Sequence, residues 1–447
     1  MESRNNKMGT MPINKLLISM SLPIIVAMLV QALYNIVDSI FVARISENAL
    51  TAVSLAFPAQ NLLIAFAGGT AVGVNSLLSR SLGEKNQENA DKTANHAIAI
   101  WILMSLIFMI IGLTCGRLFF NSQTNDTEII ELGVQYFTIV VGASFGIFGQ
   151  FTFERLLQAT GRTFQTMITQ GLGAIINIVL DPIFIFGWFG LPAMGVAGAA
   201  VATVIGQIIA CFLGLYINHK YNHDIQINMK NFRFDKHIFK QIYTVSIPSI
   251  IMQSIGSIMT YGLNLILIGF SSTATAVFGI YFKLQSFFFM PVFGLNNALV
   301  PIVAYNLGAK EKGRMVHSMK LAMIYVTFIM VTGFILFEVV PEALLSLFEA
   351  SEHMLEIGIP ALRIIALNFV FAGIAIVCSS VFQACGKGIY SLIVSVIRQL
   401  AVLLPVAYLL SLLGNVNYVW FAFPISELLS FTVSIVLIKR TFKDLDF

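Results

Sequence analysis

Charge is what this chain has least of. Asp, Glu, Lys and Arg make up 11% of its 447 residues, against 57% hydrophobic residues. A soluble domain carries about a quarter charged and roughly half apolar residues. The deficit excludes an ordinary water-soluble fold and implies an integral membrane protein, nearly all of it bilayer. Cysteine is also scarce. The four present (Cys115, Cys211, Cys378, Cys385) lie in or beside apolar segments without CxxC spacing, so they read as small buried hydrophobes, not disulfides or metal ligands. The chain has no HExxH, GxSxG or P-loop pattern and no room for the soluble nucleotide domain of an ATP-driven pump. His219 and His223 are spaced i, i+4 in a basic linker with no acid-rich partner, and no metal is expected there. No enzyme and no cofactor are expected. The first residues, MESRNNKMGTMPINK, run straight into apolar sequence, so no removable signal peptide is assigned.

Long apolar runs fill the rest. A span needs about 20 mostly apolar residues, and twelve segments qualify: 15–42, 51–79, 95–118, 129–153, 164–188, 193–217, 240–269, 276–305, 318–340, 355–382, 389–413 and 417–438. Pro182, Pro291 and Pro405 fall inside them and predict kinks. Lys and Arg gather in alternate loops, including Arg4, Lys7, Arg80, Lys85, Arg162, Lys236, Lys310, Lys387 and Arg440. The opposite loops hold Arg44 and Arg117, with the acidic run Glu342, Glu349, Glu352 and Glu356. The positive-inside rule then places both termini in the cytoplasm, as an even span count requires. Trp188 and Trp420 are expected at outer helix ends, in an aromatic belt.

The polar stretch 219–239 divides the chain into 1–218 and 240–447, and the two halves repeat. Pro23/Pro248 (SLP, SIP), Leu82/Leu307 (LGEK, LGAK) and Gly161/Gly386 (QATGR, QACGK) are each 225 residues apart. Six spans per half means both halves enter the membrane from one side, as a parallel repeat about an axis along the membrane normal, with the substrate path between them. The expected fold is all-α: twelve transmembrane helices in two six-helix bundles.

Two acids break the apolar pattern, Asp38 in LVQALYNIVDSIFVARI and Asp181 in GAIINIVLDPIFIFGWFG. Intramembrane carboxylates are costly unless paired, protonated or bound to a cation, and usually mark function. Asn177 and Asp181 share a helix face at i, i+4, and Asn35 and Asp38 stand at i, i+3 with Gln31 and Tyr34 nearby. If helices one and five meet, two carboxylates and two amides converge, and Thr203 of GVAGAAVATVIGQ adds a hydroxyl. Such an all-oxygen pocket suits sodium, and two adjacent carboxylates equally suit a shared proton. The second half replaces Asp38, Asn177 and Asp181 with Leu263, Val402 and Val406. Lys283, Phe287 and Met290, in a Phe- and Met-rich run, join Gln31, Tyr34 and Asn35 as candidate cavity residues. Arg363 and Arg398 read as structural cations paired with acids such as Glu338 or Glu427, and Glu154–Arg155 as a structural pair.

These motifs resemble the multidrug and toxic compound extrusion (MATE) family across essentially the whole chain. SLPIIVAMLVQALYNIVDSIFVARI is similar to its first helix. NIVLDPIFIFG, GVAGAAVATVIGQ and QATGR are similar to later signatures, and FGIYFKLQSFFFMPVFGLNN resembles prokaryotic members of its DinF-like or Firmicute multidrug-efflux branch. The resemblance implies V-shaped lobes with a central cavity, and export of diverse, often cationic, organic compounds by antiport against Na+ or H+ through rocking of the lobes. It also implies a coupling-cation site in the N-lobe, at Asp38, Asn177, Asp181 and Thr203 here. The chain departs from a branch that places an essential acid in the seventh helix: residues 246–270 offer only Gln253 and Asn264. A monomer in the bacterial plasma membrane is expected. The alternatives weighed are a lipid-linked precursor flippase of the same superfamily and a non-transporting receptor or scaffold.

Overall fold

The computed structural model describes residues 6–348 and 350–445. Arg4 and Glu349, used above for orientation, lie outside them. The twelve spans are α1 (Ile13–Ala43), α2 (Glu47–Gly83), α3 (Gln87–Thr114), α4 (Thr127–Ala159), α5 (Thr163–Phe186), α6 (Val196–Tyr221), α7 (Lys236–Ile268), α8 (Ser272–Gly308), α9 (Lys312–Val339), α10 (Glu352–Ala366 and Phe369–Ala384), α11 (Gly388–Ser411) and α12 (Val416–Lys443). Their starts are written in the sequence. Ser46 and Ser271, themselves 225 apart, cap α2 and α8 by accepting from the backbone N–H of Ala49 and Ala274, each at 3.0 Å, as N-cap hydroxyls do. Gly161 and Gly386 both take positive φ, as do Lys85 and Lys310, so the repeat extends to backbone conformation.

The spans are less regular than their hydrophobicity implies. α4 breaks between Gly142 and Phe145, and α10 bends by 47° between Ala366 and Phe369. In α11 the helix loosens into a π-turn at Ile397–Ala401, just before Pro405. Proline has no N–H to offer the carbonyl four residues back, that of Ala401, and the ladder slips upstream of it. Trp188 is 53% exposed, but Trp420 is fully buried in the C-half core. It corrects the aromatic-belt expectation: the turn entering α12 faces inward.

Each half has its own apolar core, and the two exchange their first turns. Ile13, Leu16, Leu17 and Met20 of α1 pack into the core of the C-half, while Ile238 and Ile242 of α7 pack into that of the N-half. Ile13/Ile238 and Leu17/Ile242 are repeat equivalents. Glycines let the halves touch, and do so reciprocally. Gly69 of α2 lies against Ile250 of α7, and Gly294 of α8 against Ile25 of α1. A Cβ on Gly69 would stand 2.6 Å from the Ile250 nitrogen, and one on Gly294 3.1 Å from that of Ile25. Nearer the basic end, Gly83 meets the backbone of Tyr305 and Gly308 that of Arg80. Every partner in these pairs has its equivalent 225 residues away, the signature of a pseudo-twofold axis between α2 and α8. Hydrogen bonds join the halves there too: Ser76 Oγ donates to Gln383 O (2.7 Å), Ser246 Oγ to Thr70 O (3.1 Å) and Asn306 Nδ2 to Met8 O (3.2 Å).

Candidate functional site

Where the halves part, a cavity of about 1310 Å³ opens. It reaches Ala43 and Leu50 at the α1–α2 turn, so its mouth is opposite the basic loops. The N-half supplies most of its wall, including Gln31, Tyr34, Asn35, Asp38, Phe57, Gln60 and Tyr136. From the C-half come Lys283, Ser286, Phe287, Met290 and Phe348. The wall is mostly apolar, with aromatic and polar side chains set into it, a carboxyl on one side and an ammonium on the other. Lys283 Nζ lies 5.9 Å from the centre of the Phe348 ring, and among the described residues it makes no ion pair.

The acids lie at the N-half edge of this cavity. Small residues set the scaffold: Gly173 of α5 faces Gly206 of α6, each against the other's backbone oxygen, so α5 and α6 pack closely. Asn177 and Thr203, one turn away on each helix, come within hydrogen-bonding range at 3.0 Å. With the amide turned to satisfy both its ends, Nδ2 donates to Asp181 Oδ2 (3.1 Å), and the amide oxygen accepts from Thr203 N and Oγ1 (both 3.0 Å). α1 runs alongside α5 and sets the Asp38 carboxyl beside that of Asp181. Asp181 is fully buried and Asp38 partly so, and an oxygen of each, Oδ1, is buried without a hydrogen-bond donor. Two adjoining carboxyls with unpartnered oxygens in an apolar surround call for a cation, metal or proton, between them. The structure therefore brings Asp38, Asn177, Asp181 and Thr203 together. Asn35 does not join them. It faces the cavity, and its carbonyl accepts from Ser39 Oγ at 2.8 Å.

Several polar residues here had no place in the reading of the sequence. Gln60 donates to the Tyr136 hydroxyl at 2.7 Å in the cavity wall. Gln170 of α5 donates to Gln31 of α1. Gln207 lines both the cavity and a smaller chamber behind it, with its Oε1 unpartnered. Its position four residues after Thr203 was the available signal. The Glu154–Arg155 pair does not form. Glu154 accepts from Gln150 Nε2 (2.9 Å), while Arg155 turns away to Gln158 Oε1 (2.8 Å) and to Asn297 Oδ1 of α8 (3.1 Å). Arg398 does pair with Glu427 (3.2 Å), and Arg363 with Glu338 (3.9 Å).

A family model described as MatE matches the chain twice, over residues 23–183 and 248–409, once in each half. The chain is similar to the multidrug export protein MepA of Staphylococcus aureus (strain MSSA476), 25% identical over 92% of this chain and 90% of that one. MepA of Staphylococcus haemolyticus (strain JCSC1435) is 26% identical over 91% of this chain and 89% of its own. Among solved structures, a MOP superfamily transporter from Pyrococcus furiosus Vc1 (DSM3638) superposes with a TM-score of 0.92 at 25% identity, covering 99% of this chain and 98% of that one. An outward-facing multidrug resistance MATE family transporter superposes with a TM-score of 0.91 at 25% identity, covering 98% of this chain and 99% of its own.

Proposed function

The chain belongs to the MatE family, and from that premise we propose that it is a secondary active antiporter that exports organic compounds in exchange for Na+ or H+. It is a multi-pass bacterial membrane protein and a multidrug efflux transporter by kinship. The coupling, its direction and its residues are our reading. Residues 1–218 and 240–447 act as two lobes joined by 219–239, with the basic loops and both termini in the cytoplasm. The cavity then opens to the outside. Lobe rocking about the glycine contacts exposes the cavity to either face in turn. The protein works as a monomer, because one chain carries both halves of the path.

The observation that carries the coupling is the pair of adjoining, incompletely satisfied carboxyls, Asp38 and Asp181, at the edge of the cavity. A cation bound there neutralises the pair and favours one lobe arrangement, and drug in the cavity favours the other. A ligand shifts such an equilibrium only by its differential affinity for the two states. Asp38 and the ring faces of Phe57, Phe287 and Tyr136 suit an organic cation, through charge and cation–π attraction. Efflux of a fluorescent organic cation from proteoliposomes, under an imposed sodium gradient and then a pH gradient, identifies the driving ion. Asp38→Asn and Asp181→Asn are each expected to reduce driven efflux to background. Wild-type efflux in both substituted proteins would discard the coupling role.

A further inference from the structure

Glu154 is a buried carboxyl that the reading above leaves without a task. It is 6% exposed and takes part in no ion pair among the described residues, and its carboxyl is met by Gln150 Nε2 at 2.9 Å and by the Thr169 hydroxyl. It lines a separate chamber of about 50 Å³ whose polar wall is completed by Gln31, Gln150, Gln170, Asn177 and Gln207. That volume has room for a few water molecules. The chamber and the main cavity share Gln31, Tyr34, Thr203 and Gln207, so a polar path runs from the Asp38–Asp181 pair to Glu154. Its direction follows from the helices. Gln170 lines the chamber beside Glu154, and Asp181 lies eleven residues further along α5, about 16 Å nearer the cavity mouth. Glu154 is five residues from the basic end of α4, about 8 Å.

We propose that Glu154 is a second proton-binding station of this transporter, on the path between the Asp38–Asp181 pair and the basic end. The proposal rests on the coupling role of that pair. The step conserves charge: a proton leaves the pair, passes through the chamber and is taken up by the Glu154 carboxylate, so one acid becomes a carboxylate as another carboxylate becomes an acid. Glutamine amides suit such a station because each offers both donors and an acceptor, and so serves either protonation state. The charged and titratable groups around Glu154 are Arg155 next to it on α4, whose charge acts on the carboxyl without an ion pair, Cys211 of α6, Tyr34 of α1 and, beyond Asn177, the aspartate pair. α2 and α3 carry their charged residues at their ends, and the guanidinium of Arg155 points towards α8. Through Arg155, the station adjoins a contact between the halves.

Two readouts separate this role from packing: the number of protons released per drug bound by the purified transporter, and the carboxylic acid carbonyl bands in infrared difference spectra between acid and alkaline pH. Glu154→Gln is expected to elute as the folded protein and bind drug as the wild type does. It should release fewer protons per drug, lose one carbonyl band, and show pH-driven flux reduced roughly tenfold or more. A folded Glu154→Gln with the wild-type proton count and bands overturns the proposal. So does a change confined to the sodium response at fixed pH, which would make Glu154 a sodium ligand. Should Glu154→Gln not fold, Glu154→Asp retains the carboxyl on a shorter arm. It is expected to shift the pH midpoint of proton release, and an unchanged midpoint rejects the station. Asp38→Asn run in parallel separates the two readings: inactive Asp38→Asn with wild-type Glu154→Gln defeats this inference alone, and wild-type behaviour of Asp38→Asn defeats the coupling reading itself.

Discussion

Asn177 holds the candidate site together, because its amide reaches both Asp181 and Thr203. Asn177→Leu keeps the branched shape and removes all three hydrogen bonds. The ionised Asp181 carboxyl then loses a donor worth about 1–3 kcal/mol, which favours its protonated form, so the apparent affinity for a coupling proton should rise by roughly 5–150-fold. Ion titrations of drug efflux measure this, and an unchanged midpoint would remove Asn177 from the site. Arg398 and Glu427 test a different kind of buried charge. Arg398→Leu strands the Glu427 carboxylate, at a cost of about 3–5 kcal/mol. Arg398→Leu/Glu427→Leu should recover most of the thermal stability in detergent, and equal losses in the two proteins would show that the pair itself is needed. Asp38 and Asp181 were legible in the sequence because an acid in an apolar run is rare. Glu154 was misread because a neighbouring arginine looked like a partner. Adjacent helix residues lie on different faces, so Arg155 points to the other half and leaves Glu154 to the chamber.

At the scale of elements, the reciprocal glycines decide how closely the helices approach. Gly69→Ala sets a Cβ against the backbone of Ile250, and overpacking of this kind typically costs about 1–3 kcal/mol. Gly279 of α8 has nothing within 4 Å of its Cβ direction, and Gly279→Ala should be neutral or gain up to about 1 kcal/mol in helix propensity. Thermal unfolding in detergent compares the two, and equal effects would refute tight packing at Gly69. The sequence made the twelve spans visible through their length and apolarity, and the repeat through its shared offset. It did not reveal the helix breaks. Ala143 and Asn368 sit at the same point of the repeat, yet neither break has a proline within it and their residues differ. Their cause is tertiary. Gly142 is pressed against the turn of α3 at Gly112, and Asn368 lies beside the Tyr281 hydroxyl of α8. The exchange of first turns between the cores was hidden for the same reason, since an apolar stripe on α1 does not name the half it will pack into.

For the whole molecule, the question is whether the closed basic end can open. Among the described residues eight side-chain hydrogen bonds join the halves on that side, each worth roughly 0.5–1.5 kcal/mol net. Shifting a two-state equilibrium from 1:99 to 99:1 takes about 5.5 kcal/mol. The polar closure is therefore of the same order as the work that differential ligand binding can do, which makes a rocking cycle energetically reasonable. The small faces of the glycine contacts limit the apolar area that must separate, whereas the exchanged turns of α1 and α7 tie each lobe to the other's core. Rocking then has to bend α1 and α7 near Pro23 and Pro248, the equivalent prolines inside them, instead of pulling their first turns free. Glu84 and Ala309 are repeat equivalents that follow Gly83 and Gly308 at the ends of α2 and α8, and they face each other across the pseudo-axis. Cysteines at these two positions, joined by a short cleavable bifunctional maleimide, should hold the basic end shut. Drug binding from the cavity side should survive and transport fall to background, with recovery once the linker is cleaved. Full transport by the cross-linked protein would mean that substrate crosses without the basic end opening, and the rocking mechanism would have to be abandoned for this chain.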